Sequence, residues 1–383
     1  MQDNESSYQA NLTDSRQESE SGESTLAKTG KSLETKESRN AEVGEPQLQS
    51  TSCRPTSRSS ENDDATAPLY DLNKRLISKL AYMDRCRAPQ KMTVLKFDVD
   101  FAEIQSHVRI DNDWQYTSIR YKSGPKGKGY AMAYISNDKP KPELDLPVLT
   151  AAVKRPSAAK AEEVFEDTIN NPPAGNIPYF TGHAKLIPIS QLDPGERITG
   201  DPTLTDLHCQ YNHIGAHLSA NRIHCEDMTY SVGRKHYGFR SFNEVYAGTG
   251  FKLWLLIKPH HITKFNDFFA KTFKCGTCNQ KVGHKSVLIA PSRLKNEGIE
   301  YTIEVIGRGE AFRTLPGQPH QVINFGACAA RSINYLHDDD IFEPENVDYC
   351  CECGIAGATL VPPPPQVLQK PTPAKRSRSD DRL

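Results

Sequence analysis

Three side chains in this sequence are of the types that could hold one metal ion: His224, Glu226 and His320. His224-Cys225-Glu226 is an H-x-E tripeptide. In a β-strand, residues i and i+2 project to the same face. On a strand, the imidazole and the carboxylate would therefore point at a common atom, and His320, from a distant strand, would close the third corner. Two imidazoles and one carboxylate form the facial set that suits Fe(II) and leaves the remaining coordination positions open. Lys252, in Lys252-Leu253-Trp254, is a cation set inside an apolar run. Burying such a lysine is costly unless an anion pairs with it.

A second group of candidate ligands comes late. Cys275 and Cys278 precede His284, and Cys350, Cys351 and Cys353 follow much later. Spacing alone allows Cys275-x2-Cys278 with Cys350-x2-Cys353 to form a four-cysteine zinc site. The chain has ten cysteines and its first residues, Met1 to Glu5, do not read as a secretion signal, so metal ligation and buried thiols are expected rather than a disulfide framework. Cys209, Cys225 and Cys328 read as packed thiols.

The elements that must position these residues show in the patterning. The 383 residues carry a formal net charge of -1, so no global attraction to nucleic acid is expected, and no nucleic-acid motif occurs. No apolar run is long enough to span a bilayer. Residues 1–67 are polar, with Tyr8 as their one aromatic residue. They cannot bury enough apolar surface to offset ordering entropy and are expected to be a disordered tail. Region 68–150 reads as a helix carrying Leu69, Leu72, Leu76, Leu80 and Met83, then a small mixed segment and a Lys-, Pro- and Ala-rich linker that runs on to 160. Gly124 to Gly129 is a glycine-lysine turn, not a phosphate loop, because no GK[ST] follows. A short helix is expected over Ala161 to Ile169. Downstream, short apolar runs recur at Leu253–Ile257, Val287–Ile289, Tyr301–Ile306, Ala311–Leu315, Val322–Phe325 and Ser332–Leu336, punctuated by Gly and Pro. That pattern predicts a sandwich or barrel. A mainly β, cupin-like double-stranded β-helix (a jelly roll) with added helices fits residues 151–340. Ile262, Phe265, Phe268, Phe269 and Phe273 form a helical core stripe. A zinc-binding segment is expected at 341–360, and a disordered Pro-rich tail at 361–383 that ends in the basic cluster Lys375-Arg376-Ser377-Arg378.

These motifs together resemble the JmjC family of Fe(II)- and 2-oxoglutarate-dependent oxygenases. Within it the chain is most similar to the zinc-containing JmjN/JmjC branch that demethylates trimethylated histone lysines. The resemblance covers roughly residues 175–355. It implies that His224, Glu226 and His320 hold the iron. It implies that Lys252, followed by Trp254, binds the distal carboxylate of 2-oxoglutarate with Tyr179 as its second partner, and that Asn243 lies near the other end of the co-substrate. It places His213, Lys285, Ser332 and Asn334 at the substrate lysine. It also implies a C-x5-H and C-x-C zinc site of Cys278, His284, Cys351 and Cys353, a layout that competes with the all-cysteine one. Residues 92–110 fall where related demethylases carry the JmjN element.

The implied chemistry consumes O2 and 2-oxoglutarate, releases succinate and CO2, and hydroxylates an N-methyl group that then leaves as formaldehyde. The implied partners are a methylated histone tail, or another methyl-lysine protein, and chromatin complexes in the nucleus. The sequence departs from the family pattern at Asn221, where the family has an aromatic residue, at His213, where it has a tyrosine, and at Ile333, where it has a threonine. These departures motivate two rivals: an inactive JmjC chromatin scaffold and a JmjC protein hydroxylase. The stretch Tyr230–Arg240, an insertion relative to the family, is basic and aromatic and is expected to shape the entrance.

Overall fold

A computed structural model describes the chain from residue 76 to residue 347, apart from internal gaps of which 144–150, 184–190 and 274–280 are the longest. The expected terminal tails, Leu69, Leu72, the five late cysteines and the side chain of His284 lie outside the described residues.

The leucine spacing becomes helix α1, Leu76–Arg85, which buries Leu76, Ile77, Leu80 and Ala81. It closes with two backbone bonds, Ala88 N–H to Met83 O at 2.9 Å and Arg87 N–H to Asp84 O at 2.9 Å. Arg87 takes the left-handed conformation between them, at φ 52°. This is a Schellman close, and Pro89 then prevents any continuation. Strand β1, Lys91–Thr93, follows, then the hairpin β2, Trp114–Ser123, and β3, Tyr130–Ser136. Helix α2, Ala158–Asn170, starts with Ser157 accepting from the Lys160 N–H at 3.2 Å.

The chain continues with β4, Asn176–Gly182, a single turn α3, Glu196–Thr199, β5, Tyr211–Gly215, and β6, Ala220–His224. A small hairpin, β7, Tyr230–Val232, and β8, Lys235–Tyr237, leads to β9, Arg240–Gly248, and β10, Phe251–Ile257. Then come α4, Ile262–Thr272, α5, Lys281–His284, β11, Val287–Ile289, and α6, Pro291–Asn296. Strands β12, Tyr301–Ile306, β13, Glu310–Arg313, β14, His320–Phe325, and β15, Cys328–Tyr335, complete the described chain. No described helix is long and apolar enough to cross a membrane.

These strands make a nine-stranded sheet, β1-β13-β9-β15-β5-β4-β2-β3-β11, and a four-stranded sheet, β12-β10-β14-β6. All the pairings are antiparallel. The fold is the mainly β, cupin-like sandwich that the strand pattern predicts. Strand β10 shows why its run is apolar throughout. Leu253, Leu255 and Ile257 pack with the α4 phenylalanines on one side, whereas Trp254 and Leu256 pack with Val245, Phe312, Val322 and Ala330 between the sheets. Both faces of the Leu253–Ile257 run are buried against apolar neighbours, and Lys252, on the Trp254 face, is the charged residue that the strand turns to the cavity.

Two expectations change. Strands β2 and β3, read as part of a separate region over 68–150, pair with β4 and β11 and complete the large sheet. The reason is long-range pairing, which local composition does not encode. The insertion Tyr230–Arg240 does not shape the entrance. It forms the β7–β8 hairpin, in which the Tyr230 ring stacks on Tyr237 at 5.3 Å. Its aromatic residues then bury against Leu336, Phe342 and Val347.

Candidate active site

The cavity that matters lies between the two sheets and encloses about 570 Å³. Period-two alternation supplies most of its lining. The large sheet contributes Tyr179 and Thr181 from β4, Tyr211 and His213 from β5, Ser241 and Asn243 from β9, and Ser332 and Asn334 from β15. The small sheet contributes Lys252 and Trp254 from β10, His320 and Val322 from β14, and His224 from β6. Gly215 lets the walls approach, because a Cβ there would lie 2.1 Å from Asn324 Nδ2 and 3.1 Å from the Tyr179 ring.

His224, Glu226 and His320 meet, with one ligand atom from each lying within 4.8 Å of the others. His320 stands opposite His224 in the β14–β6 pairing, and their rings are 4.3 Å apart. The His224 Nδ1–H donates to the Arg222 carbonyl at 2.8 Å, and the His320 Nδ1–H donates to the Gln318 carbonyl at 2.9 Å. Each Nε2 therefore keeps its lone pair for a ligand. Burial holds His224 well below the usual imidazole range and His320 at about 4, so both rings are neutral.

Glu226 arrives differently from the strand geometry expected. Strand β6 ends at His224, and Glu226 sits in the turn beyond it. The Thr229 hydroxyl donates to the Glu226 carbonyl at 2.9 Å, and the Thr314 hydroxyl donates to its Oε1 at 3.5 Å. Burial, with the Asp227 charge added, pushes the Glu226 carboxyl up to about 8. Facing two neutral imidazoles, this carboxyl group keeps its proton at neutral pH until a positive charge takes the proton's place. A divalent cation fits it on chemistry and burial.

Deeper in the cavity, Lys252 is 3 % exposed and its ammonium donates to Asn243 Oδ1 at 3.3 Å. Among the described residues no carboxylate forms an ion pair with it. Burial lowers it to about 8. The Tyr179 hydroxyl lies 3.5 Å from His213 Nδ1, and burial raises that phenol. His213 also reaches Thr181 Oγ1 at 3.3 Å and Ser332 Oγ at 2.8 Å. It thereby joins the expected co-substrate and substrate sides, and burial keeps it neutral.

Sequence reading also places Lys285 at the substrate. In the structure Lys285 is half-buried and does not line the cavity, while nearby Gly283 does. The Gly283 carbonyl accepts from Arg222 Nε at 3.3 Å and Nη2 at 2.9 Å. Cys328 is a packed thiol, as expected, pushed up to about 11 by burial, whereas Cys209 and Cys225, expected to be packed as well, are half-buried and line the cavity. Sequence reasoning misses Tyr116, Thr181, Tyr211, Arg222 and Asp227, all of which line the cavity. Alternation from Tyr179 and His213 would have found Thr181 and Tyr211. No local signal marks Tyr116.

A family model described as JmjC domain, hydroxylase, matches residues 211–335. The chain carries a JmjC domain. Its curated relatives include a probable lysine-specific demethylase 4F from Homo sapiens, 27% identical over 162 residues, a match covering 40% of this chain and 23% of that protein. Another is lysine-specific demethylase 4D from Rattus norvegicus, 28% identical over 159 residues, covering 39% of this chain and 28% of that protein. The chain thus spans about a quarter of the length of these relatives. The JmjC match includes the triad, Lys252, Asn243 and His213 but leaves out Tyr179 and Tyr116. Residues 211–335, with the triad among them, are thus similar to the JmjC hydroxylase domain.

Proposed function

We propose that this protein is an Fe(II)- and 2-oxoglutarate-dependent dioxygenase that removes methyl groups from lysine, with a histone tail as its substrate and the nucleus as its place of action. One observation carries the reading: a buried lysine, without a carboxylate partner among the described residues, faces the same cavity as a two-histidine, one-carboxylate cluster in which His320 is buried and His224 and Glu226 are partly so. That pairing suits a substrate that must present an anion to one end of the cavity and a reactive carbon to the other. His224, Glu226 and His320 would hold the iron, which when bound supplies the oxidising chemistry. Lys252 binds the distal carboxylate of 2-oxoglutarate, Asn243 orients that ammonium, and Tyr179 offers its phenol as a further donor. The apolar wall of Trp254 and Val322 excludes water. Ser332, Asn334 and His213 line the path of the substrate side chain. The zinc site, from Cys278, His284, Cys351 and Cys353, and the association with chromatin complexes belong to the same proposal. The first is supported by spacing; the relatives' lysine-specific demethylase names support a methyl-lysine substrate and say nothing of chromatin.

The rival scaffold reading draws on Asn221, which lines the cavity where the family has an aromatic residue. Succinate release from 2-oxoglutarate with Fe(II), and its absence without the metal, separates enzyme from scaffold. Formaldehyde release from a methylated histone peptide separates demethylase from hydroxylase. His224→Ala and Glu226→Ala should each abolish succinate release while circular dichroism stays native, because removing a ligand from a polar turn or a strand end leaves the sandwich core intact. Full turnover by either variant sinks the metal assignment.

A further inference from the structure

Both metal-site histidines are oriented in the same way. Each donates its Nδ1–H to the carbonyl of the residue two positions before it, His224 to Arg222 at 2.8 Å and His320 to Gln318 at 2.9 Å. The two carbonyls are not held alike. Gln318 is 2 % exposed, and its amide is fixed from three sides. Its Nε2 donates to the Ile257 carbonyl at 3.1 Å, and its Oε1 accepts from Gln90 Nε2 at 2.8 Å and from the Leu315 N–H at 3.2 Å. Arg222 has a different setting. Strand β6 is an edge strand of the four-stranded sheet, beside β14. Between the pairs His320–His224 and Val322–Asn221, β6 holds two residues, Arg222 and Ile223, against the single Gln321 of β14. That is a β-bulge, which bends a strand and re-aims its side chains. Ile223 packs into the core, while the neighbours Asn221 and Arg222 both line the cavity. Regular alternation would put those two on opposite faces.

What fixes the bulged residue is its own side chain. Arg222 Nε and Nη2 both donate to the Gly283 carbonyl, at 3.3 Å and 2.9 Å. Gly283 belongs to α5, the single turn before β11, and it too lines the cavity. The guanidinium therefore reaches from the edge strand to a separate element, while the carbonyl of the same residue sets the tautomer and ring plane of His224. A bulge disrupts the ladder bonds that would otherwise hold that carbonyl in place. We infer that Arg222 is a positioning residue for the metal site: its guanidinium, clamped on the Gly283 carbonyl, fixes the bulge so that the Arg222 carbonyl holds the His224 ring ready to ligate. The partner behind a ligating imidazole governs its orientation, and losing such a partner costs about 10–100-fold in metal affinity. The inference rests on the metal reading of His224, Glu226 and His320.

The test uses the full chain with Co(II) as the probe, because its ligand-field bands report the geometry of the donors around it. Affinity is read by calorimetry, the bands by absorption, and the fold by the melting temperature of the metal-free protein. Bands absent from His224→Ala are those of the triad. Arg222→Met keeps an apolar stem and removes both donors. It should weaken Co(II) binding at the triad by at least about tenfold and shift the triad bands. Arg222→Lys keeps one donor for the same oxygen and should fall in between. Wild-type affinity and bands in Arg222→Met overturn the inference. So does a lower melting temperature with affinity and bands unchanged, which makes the guanidinium a packing group. If Arg222→Met does not fold, Arg222→Lys decides: intermediate values support the inference and wild-type values overturn it. Equal Co(II) binding and identical bands in the wild type and His224→Ala remove the metal reading and the inference with it. A loss in His224→Ala with no effect of Arg222→Met removes the inference alone.

Discussion

Lys252 keeps its ammonium where solvent scarcely reaches, with one amide oxygen at 3.3 Å for company. Burial brings it down to about 8, so in the empty protein it is mostly charged at neutral pH and loses its proton as pH rises through about 8. A dianionic co-substrate pairs with the charged form and raises that value, so binding above pH 8 must take up a proton. The affinity for 2-oxoglutarate should therefore be flat below pH 8 and should weaken above it by up to about tenfold per pH unit. Calorimetry in buffers of different ionisation enthalpy should show the uptake. Lys252→Ala should abolish this pH dependence and weaken binding by about 1.5–3 kcal/mol, the size of a hydrogen bond to a charged group. Unchanged affinity in that variant means that the carboxylate binds elsewhere.

Among the elements, α1 matters through one residue. Asp84, on its last turn, pairs with Arg313 of β13 at 2.7 Å, Arg240 of β9 at 3.5 Å and His337 at 3.4 Å. Arg240 is also held by Asp340. The apolar side of the helix meets Met92, Phe242, Ile333 and Tyr335, so helix and charge network close the same end of the large sheet. Arg313 is 1% exposed and also donates to the Ala88 carbonyl at 2.9 Å. Asp84→Ala would leave that guanidinium buried with its charge uncompensated. The expected loss is about 3–5 kcal/mol, the range for breaking one partner of a buried pair. Urea unfolding measures it; a loss below about 1 kcal/mol, the scale of an exposed pair, would show that water takes over from the carboxylate. Leu72 and Leu69, read from the same spacing as part of this helix, lie outside the described residues.

Across the molecule, the proposed zinc site is the feature to test, and its two layouts differ in which late residues they use. The two zinc layouts share Cys278 and Cys353, so substitution there distinguishes nothing. With the histidine-containing layout, His284→Ala and Cys351→Ser should lose zinc and lower the melting temperature, since a structural zinc contributes folding free energy directly. Cys275→Ser and Cys350→Ser should then stay near wild type. Elemental analysis of the four purified variants reads the outcome, and the reverse pattern assigns the all-cysteine site. Either result leaves the triad and Lys252 untouched, because those residues are placed by the two sheets and not by the late segment. The β2–β3 hairpin makes the same point from the other end, since the sheet that carries His213 and Ser332 also takes in strands from the region read as lying before the domain.

Chemistry and local geometry were legible in the chain before it folds. His224, Glu226 and His320 are donors of the types that together can hold one metal ion, and the fold brings them together. Lys252 and Trp254 share a face because residues two apart on one strand must. The run Leu253–Ile257 is apolar throughout, so it is buried on both sides. Those inferences need only residue type and a period of two, and both are properties of a few neighbouring residues. How distant pieces meet had to come from the folded protein. Glu226 reaches the site from a turn and not from the strand, because β6 stops at His224 and the Thr229 and Thr314 hydroxyls hold the glutamate beyond it. Lys285 stays out of the cavity lining while Arg222, from β6, grips Gly283. Tyr116 enters through an irregular pairing with β4, and the β7–β8 hairpin turns to the segment after β15 instead of the entrance. Each of these depends on strand register and packing between residues far apart in the chain, and such contacts leave no trace in local spacing.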